Sequence, residues 1–176
     1  YKFWDKMNKK AYMYADEIIT ISSVMKKVIT RNVESSKIKI IYPWVDTSLI
    51  KPIKKDDNWF VKKNNLSSKK IILYSGNMGL THDLMTPLKV AKELNQTHPN
   101  FHFIFVGDGA NKKNLMNYTE QNILKNVTFL PYQDSNILPY SFASADFSIV
   151  TLSSGAEGLS VPSKTFYSLA AGSAII

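Results

Sequence analysis

Three segments of the chain combine small residues with groups able to hold an anion. Leu73-Tyr74-Ser75-Gly76-Asn77-Met78-Gly79 closes one apolar run, and Phe105-Val106-Gly107-Asp108-Gly109 closes another. The third runs from Ser153 through Gly155, Glu157, Gly158, Leu159, Ser160 and Pro162 to Ser163 and Lys164. Glycine permits positive φ and lets the backbone approach a phosphate closely. The free amides and positive dipole end of a following helix attract negative charge. Either glycine segment alone also fits a plain tight turn, but two such loops on adjacent strand ends can face one crevice. Lys164 falls in the first turn of a predicted helix, where a cation opposes the helix dipole. A bound phosphate would offset that cost, and a solvated lysine is the plainer alternative. The glycine spacing is not that of dinucleotide-binding folds, which counts against an NAD enzyme.

These loops need strands and helices to hold them. Ile71–Tyr74, Phe101–Val106 and Val127–Leu130 are unbroken apolar runs, and Asp146–Val150 is another strand. Helices are predicted from after Gly79 to about Gln96, over Asn111–Leu124 with Leu115, Tyr118 and Ile123 among the apolar positions, over Ile137–Ala143, and over Ser163–Ala171 closed by Gly172. Pro87 belongs in a first helical turn, and Ser163 suits an N-cap. Upstream, Phe3 to Tyr14 has helical spacing, Glu17–Ile21 and Lys37–Ile41 read as strands, and Ser22 or Ser23 caps a helix between them. Asp56 to Ser68 is polar and reads as a surface segment. Alternating strands and helices with continuous apolar strands predict an α/β fold, a Rossmann-like parallel sheet covered on both faces. The boundary between two parts is expected between Tyr42 and Pro52. Residues 1–50 are read as the tail of one domain with its linker, and 51–176 as a second domain. Tyr1 is not a natural start and Ala174-Ile175-Ile176 reads as a strand just beginning, so the chain is taken as incomplete at both ends.

Composition narrows the function classes. The 176 residues are 44% hydrophobic and 20% charged, with no Cys. Disulfides and thiolate metal sites are excluded, and the dispersed histidines predict no metal site. The formal charge is +8, carried almost wholly by Lys in scattered pairs, with Arg31 the single Arg. Arg forks dominate base and phosphate recognition, so nucleic acid is not the expected partner. A diphosphate ligand and an anionic surface account for the charge. No apolar run approaches the roughly 18–20 residues needed to span a bilayer. Phe3, Trp4, Tyr12 and Tyr14 with Lys2, Lys6, Lys9 and Lys10 either lie on an anionic membrane or form a helix packed against a further domain.

Taken in order, Tyr-Ser-Gly-Asn-Met-Gly, Val-Gly-Asp-Gly, Asn126-Val127-Thr128-Phe129-Leu130-Pro131-Tyr132, Ala145-Asp146 and Val161-Pro162-Ser163-Lys164 to Gly172 resemble the C-terminal domain of GT-B-fold, family 4 glycosyltransferases of the capsule, exopolysaccharide and O-antigen type. Ala15 to Ser22 and Lys37 to Asp46 resemble the end of that family's N-terminal domain and its linker. The resemblance implies that Gly76, Asn77, Met78 and Gly79 line the donor diphosphate. Gly107, Asp108 and Gly109 would border the nucleotide, and Pro131 and Tyr132 the base and ribose. Glu157, Gly158, Leu159, Ser160, Ser163 and Lys164 would wrap the sugar and diphosphate, with Glu157 and Lys164 as the catalytic candidates. The pair of Glu that many members carry maps to Leu159 and Tyr167, neither acidic. A basic residue often follows the glycine loop in the family, and His82 stands near that place. Implied partners are a UDP- or GDP-sugar donor, a lipid-linked saccharide acceptor and an acceptor-side N-terminal domain. The implied location is cytoplasmic, peripheral at the inner face of the plasma membrane, with no cofactor or metal. The other readings are a non-catalytic nucleotide-sugar-binding module and a sugar-nucleotide epimerase or hydrolase.

Overall fold

The computed structural model describes residues 2–80, 82–151 and 161–176. They fall into two compact units, one within residues 2–44 and one within residues 45–151 and 162–176.

The first unit contains α1 (Lys2–Tyr14), β1 (Ile18–Thr20), α2 (Ser23–Ile29), a 3-10 turn at Ser35–Lys37 and β2 (Ile38–Ile40). Its strands pair in parallel, Ile18 opposite Ile38 and Thr20 opposite Ile40. Ser22 is the α2 N-cap, its Oγ accepting from the Met25 amide at 3.1 Å. Phe3, Trp4, Met7 and Tyr14 of α1 are all exposed.

The second unit holds a five-stranded sheet in the order β5-β4-β3-β6-β7, every neighbouring pair parallel. Its strands are β3 (Lys70–Ser75), β4 (Phe101–Val106), β5 (Val127–Leu130), β6 (Phe147–Ser148) and β7 (Ala174–Ile175). Its helices are α3 (Trp59–Lys63), α4 (Met85–Thr97), α5 (Lys112–Gln121), α6 (Leu138–Phe142) and α7 (Lys164–Ala170). The two-residue period of a strand sends alternate side chains to opposite faces. Ile71, Leu73, Ile104 and Val106 pack on one face with Phe60, Val61, Phe142 and Ala171. Ile72, Tyr74, Phe103 and Phe105 pack on the other with Leu88, Ala91 and Leu115. Both faces are therefore buried, which is why these strands read as continuous apolar runs.

Three local expectations need correction. Residues 56–68 are not a surface segment, because they form a 3-10 turn at Lys55–Asp57 and then α3, and they bury Phe60, Val61 and Leu66 in the core. Asn58 organises them: its Oδ1 accepts from the Phe60 amide at 3.0 Å and its Nδ2 donates to Tyr140 O at 2.8 Å. Helix α5 stops at Gln121 instead of Leu124, and Ile123 is exposed at φ 52° beyond its end. That left-handed residue turns the chain so that Leu124 returns to the core. Ser163 stands at the N-cap position of α7 but has helical dihedrals and makes no side-chain cap.

Candidate active site at the carboxyl ends of the strands

Parallel pairing sets Ser75 opposite Val106, so the loops after β3 and β4 emerge side by side. They lock backbone to backbone. The Gly76 amide donates to Val106 O at 2.9 Å and the Met78 amide to Asp108 O at 2.7 Å, while Met78 O accepts from the Asn111 amide at 3.0 Å. A Cβ on Gly107, at φ +134°, would sit 2.1 Å from Gly76 O. One on Gly109, at φ +151°, would sit 2.5 Å from the Met78 carbonyl carbon. No side chain fits at either position, and the left-handed backbone adds strain for any residue but glycine. The Gly107 amide donates to Leu130 O at 3.0 Å, which ties in the loop after β5.

These bonds redistribute the residues expected to touch a diphosphate. Gly76 and Met78 have their amides committed to the neighbouring loop, and the Met78 side chain is fully buried in the core. Asn77 is exposed, and its carbonyl accepts from the Tyr74 hydroxyl at 2.6 Å. Gly79 has room for a Cβ against only the flexible Asn77 side chain. Asp108 is exposed and folds its carboxylate onto the Gly109 amide at 2.8 Å. Tyr132 is exposed, its hydroxyl 3.5 Å from Asp108 O and its ring over Gly107. Pro131 is exposed beside it.

Lys164 is where α7 meets these loops. Its Nζ lies 4.2 Å from the centroid of the Tyr74 ring and donates to the Tyr74 hydroxyl at 3.1 Å. A Cβ on Gly76 would be 3.3 Å from both Cε and Nζ of Lys164. The ammonium thus occupies the space left by the side chain that Gly76 lacks. Burial pushes the Lys164 amine down to about 8, because a low-dielectric setting disfavours the charged form. Burial also raises the Tyr74 phenol, with Tyr132 adding to the effect.

His82 brings its Nδ1 to 2.9 Å from Thr151 O. A carbonyl only accepts, so Nδ1 carries the proton of that bond. The His82 ring meets the Tyr74 ring edge-on at 6.2 Å. Tyr167, at a position where an acidic residue was sought, instead turns into the core and packs on Phe142 at 5.2 Å. Glu157, Gly158, Leu159 and Ser160 lie outside the described residues. Among the described residues, no group of three or more His, Cys, Asp or Glu is placed to hold a metal ion.

The structure therefore brings Gly76, Asn77, Gly107, Asp108, Gly109, Tyr132, His82 and Lys164 to one end of one sheet. Sequence reasoning missed Tyr74, whose hydroxyl links Lys164 to the Asn77 carbonyl. Its signal was a tyrosine at the end of a buried run, since a buried phenol needs a polar partner.

Comparison with known proteins identifies the family. Residues 55–162 match the model of the family described as glycosyl transferases group 1. WcaI of Escherichia coli (strain K12), which carries the name of a colanic acid biosynthesis glycosyl transferase, is 32% identical over 161 residues, covering 89% of this chain and 39% of WcaI. WbjE of Pseudomonas aeruginosa, named as a glycosyltransferase, is 23% identical over 180 residues, covering 100% of this chain and 44% of WbjE. The chain thus spans about two fifths of the length of the curated relatives it matches. The crystal structure of Anabaena HepE in complex with UDP and glucose superposes with a TM-score of 0.75 at 16% identity, covering 94% of this chain and 45% of HepE. Family match and shared architecture give one conclusion: this chain belongs to the group 1 glycosyltransferases and has the α/β fold of the GT-B enzymes.

Proposed function

We propose that the carboxyl end of the five-stranded sheet binds the diphosphate of a UDP- or GDP-sugar, and that the whole protein transfers that sugar to a lipid-linked saccharide. The observation that carries this reading is the Lys164 ammonium held over Gly76, in the glycine loop after β3 that interlocks with the loop after β4. HepE binds UDP on a related fold, which supports the same ligand class. In a family 4, retaining transfer, negative charge develops on the diphosphate as the glycosidic bond breaks. A pre-organised cation at that oxygen stabilises the transition state more than the ground state. Asn77, Gly79 and the start of α7 with Ser163 border the phosphates in this reading. Asp108, Pro131 and Tyr132 border the nucleoside, and His82 assists near the diphosphate. Glu157 to Ser160 contact the sugar.

The same reading assigns residues 1–50 to the tail of an acceptor-side domain and its linker, and residues 51–176 to the donor side. Surface-polysaccharide synthesis on a lipid carrier would bring the enzyme to the inner face of the membrane as a peripheral protein. No described helix is long and apolar enough to cross a membrane. Residues 1–176 should bind donor without turning it over, because acceptor activation belongs to the other domain.

The test is an assay of UDP or GDP release by a chain of the relatives' full length, with and without lipid-linked acceptor. Release only with acceptor is expected. Release without it would point to an epimerase or hydrolase, and binding without release to a non-catalytic module. Measurable transfer by residues 1–176 alone would contradict the division of labour.

A further inference from the structure

Tyr74 has 0% exposure and packs against Phe105 on the sheet face covered by α4 and α5. A phenylalanine would fill that space equally well. Its hydroxyl therefore calls for a separate account, since burying a phenol is costly unless it is hydrogen-bonded. The hydroxyl donates its one proton to Asn77 O at 2.6 Å. With that proton committed, the oxygen can only accept from the Lys164 ammonium at 3.1 Å. The ring face meets the same ammonium at 4.2 Å from its centroid, a distance at which the ring quadrupole attracts a cation. Gly76 bounds the ammonium at 3.3 Å from the place a Cβ would take, and the His82 ring sits edge-on to the Tyr74 ring. The four-carbon stem of a lysine is flexible and loses rotamer freedom when a ligand fixes it. Here it is held before any ligand arrives.

We propose that Tyr74 is the positioning residue for Lys164: its ring and hydroxyl fix the ammonium over Gly76, and its bond to Asn77 O ties that ammonium to the loop after β3, so that α7 and the loop meet a nucleoside diphosphate as one preformed unit. This inference rests on the reading of Lys164 as a diphosphate ligand. Tyr74→Phe separates the two roles, because it keeps the buried ring and removes only the hydroxyl.

The experiment is a calorimetric titration of UDP into residues 1–176 as wild type, Tyr74→Phe, Lys164→Ala and the double variant, across pH 7 to 9.5. Tyr74→Phe is expected to weaken UDP binding about tenfold, the scale of having to order one long side chain on binding. Its thermal midpoint should stay near that of the wild type. In the Lys164→Ala background the same change should have no further effect, since residues acting through one another are not additive. The alkaline fall in UDP affinity should begin at lower pH in Tyr74→Phe, because the ammonium has lost an acceptor. Wild-type affinity and pH profile in Tyr74→Phe would overturn the inference, as would a tenfold effect that persists without Lys164. Unchanged UDP affinity in Lys164→Ala, or binding of neither UDP nor GDP by the wild type, would overturn the diphosphate reading and the inference with it; a wild type that binds only GDP is titrated with GDP in the same series.

Discussion

The two ends of the five-stranded sheet each hold a partly buried charge, and they treat it in opposite ways. At the amino ends of the strands, Asp146 accepts from the Ile71 amide at 2.8 Å and faces the ammonium groups of Lys55 at 2.9 Å and Lys70 at 3.4 Å. Burial raises its carboxyl, but the Ile71 amide and the two lysines outweigh burial and hold it below the usual carboxylate range. At the carboxyl ends, Lys164 is held among the described residues by an aromatic face and a phenol oxygen, and its amine is pushed down to about 8. One end satisfies its charge and stabilises the fold. The other holds a cation whose charged form would gain if an anion arrived, as the proposed diphosphate site requires.

Gly107→Ala should be the most damaging single change at the site end. Its Cβ would collide with Gly76 O at 2.1 Å in a left-handed backbone. A loss of about 3 kcal/mol or more is expected, together with loss of UDP binding, measured by denaturant unfolding and calorimetry. Gly79→Ala is the control, because its nearest neighbour is a flexible side chain at 3.1 Å, and it should leave stability close to that of the wild type.

Asp146→Ala should cost about 2 kcal/mol, since it leaves the Ile71 amide unsatisfied and two lysines unpaired. UDP affinity should stay unchanged. The Asp146 contribution should be present above about pH 4, the ordinary unfolded value. It should fade as pH falls through the lower folded value, so acid unfolding profiles of wild type and variant should converge. A comparable loss of UDP affinity in Asp146→Ala would erase the distinction between the two ends.

Lys164→Met should do the reverse. UDP affinity should fall about tenfold or more, while thermal stability at pH 7 should not drop below that of the wild type, because a buried cation is replaced by an apolar chain of similar volume. A smaller effect follows from the same group. Below pH 8 the lysine is charged in both states and the burial cost is fully present. Between about 8 and the ordinary value near 10.4, the folded protein sheds the proton first. Wild-type stability should therefore rise relative to Lys164→Met across that window, and thermal unfolding from pH 7 to 11 measures it.

How much of this was legible in the sequence differs between the parts. Strands β3, β4 and β5 were legible because both faces of the sheet are buried, which leaves unbroken apolar runs. Helix α3 was not, because Asp56, Asp57, Lys62 and Lys63 surround the short run Trp59-Phe60-Val61 with charge. The glycine loops were recognisable, but what their glycines do was not. Their close approach arises from the register that sets Ser75 beside Val106, a relation between segments distant in the chain. Lys164 stood out because a cation in a first helical turn opposes the helix dipole. Its partner Tyr74 did not, because nothing in an apolar run says where a hydroxyl will point.

In the proposed function, Lys164 meets the diphosphate as an ammonium whose proton is loosely held beforehand. The most direct test is a titration of UDP into residues 1–176 at pH 8.5, in two buffers of different ionisation enthalpy. With the amine lowered to about 8 before binding, the wild type should take up part of a proton as UDP binds, and Lys164→Met should take up none. UDP binding of equal strength in both proteins, with no proton uptake in either, would contradict the account.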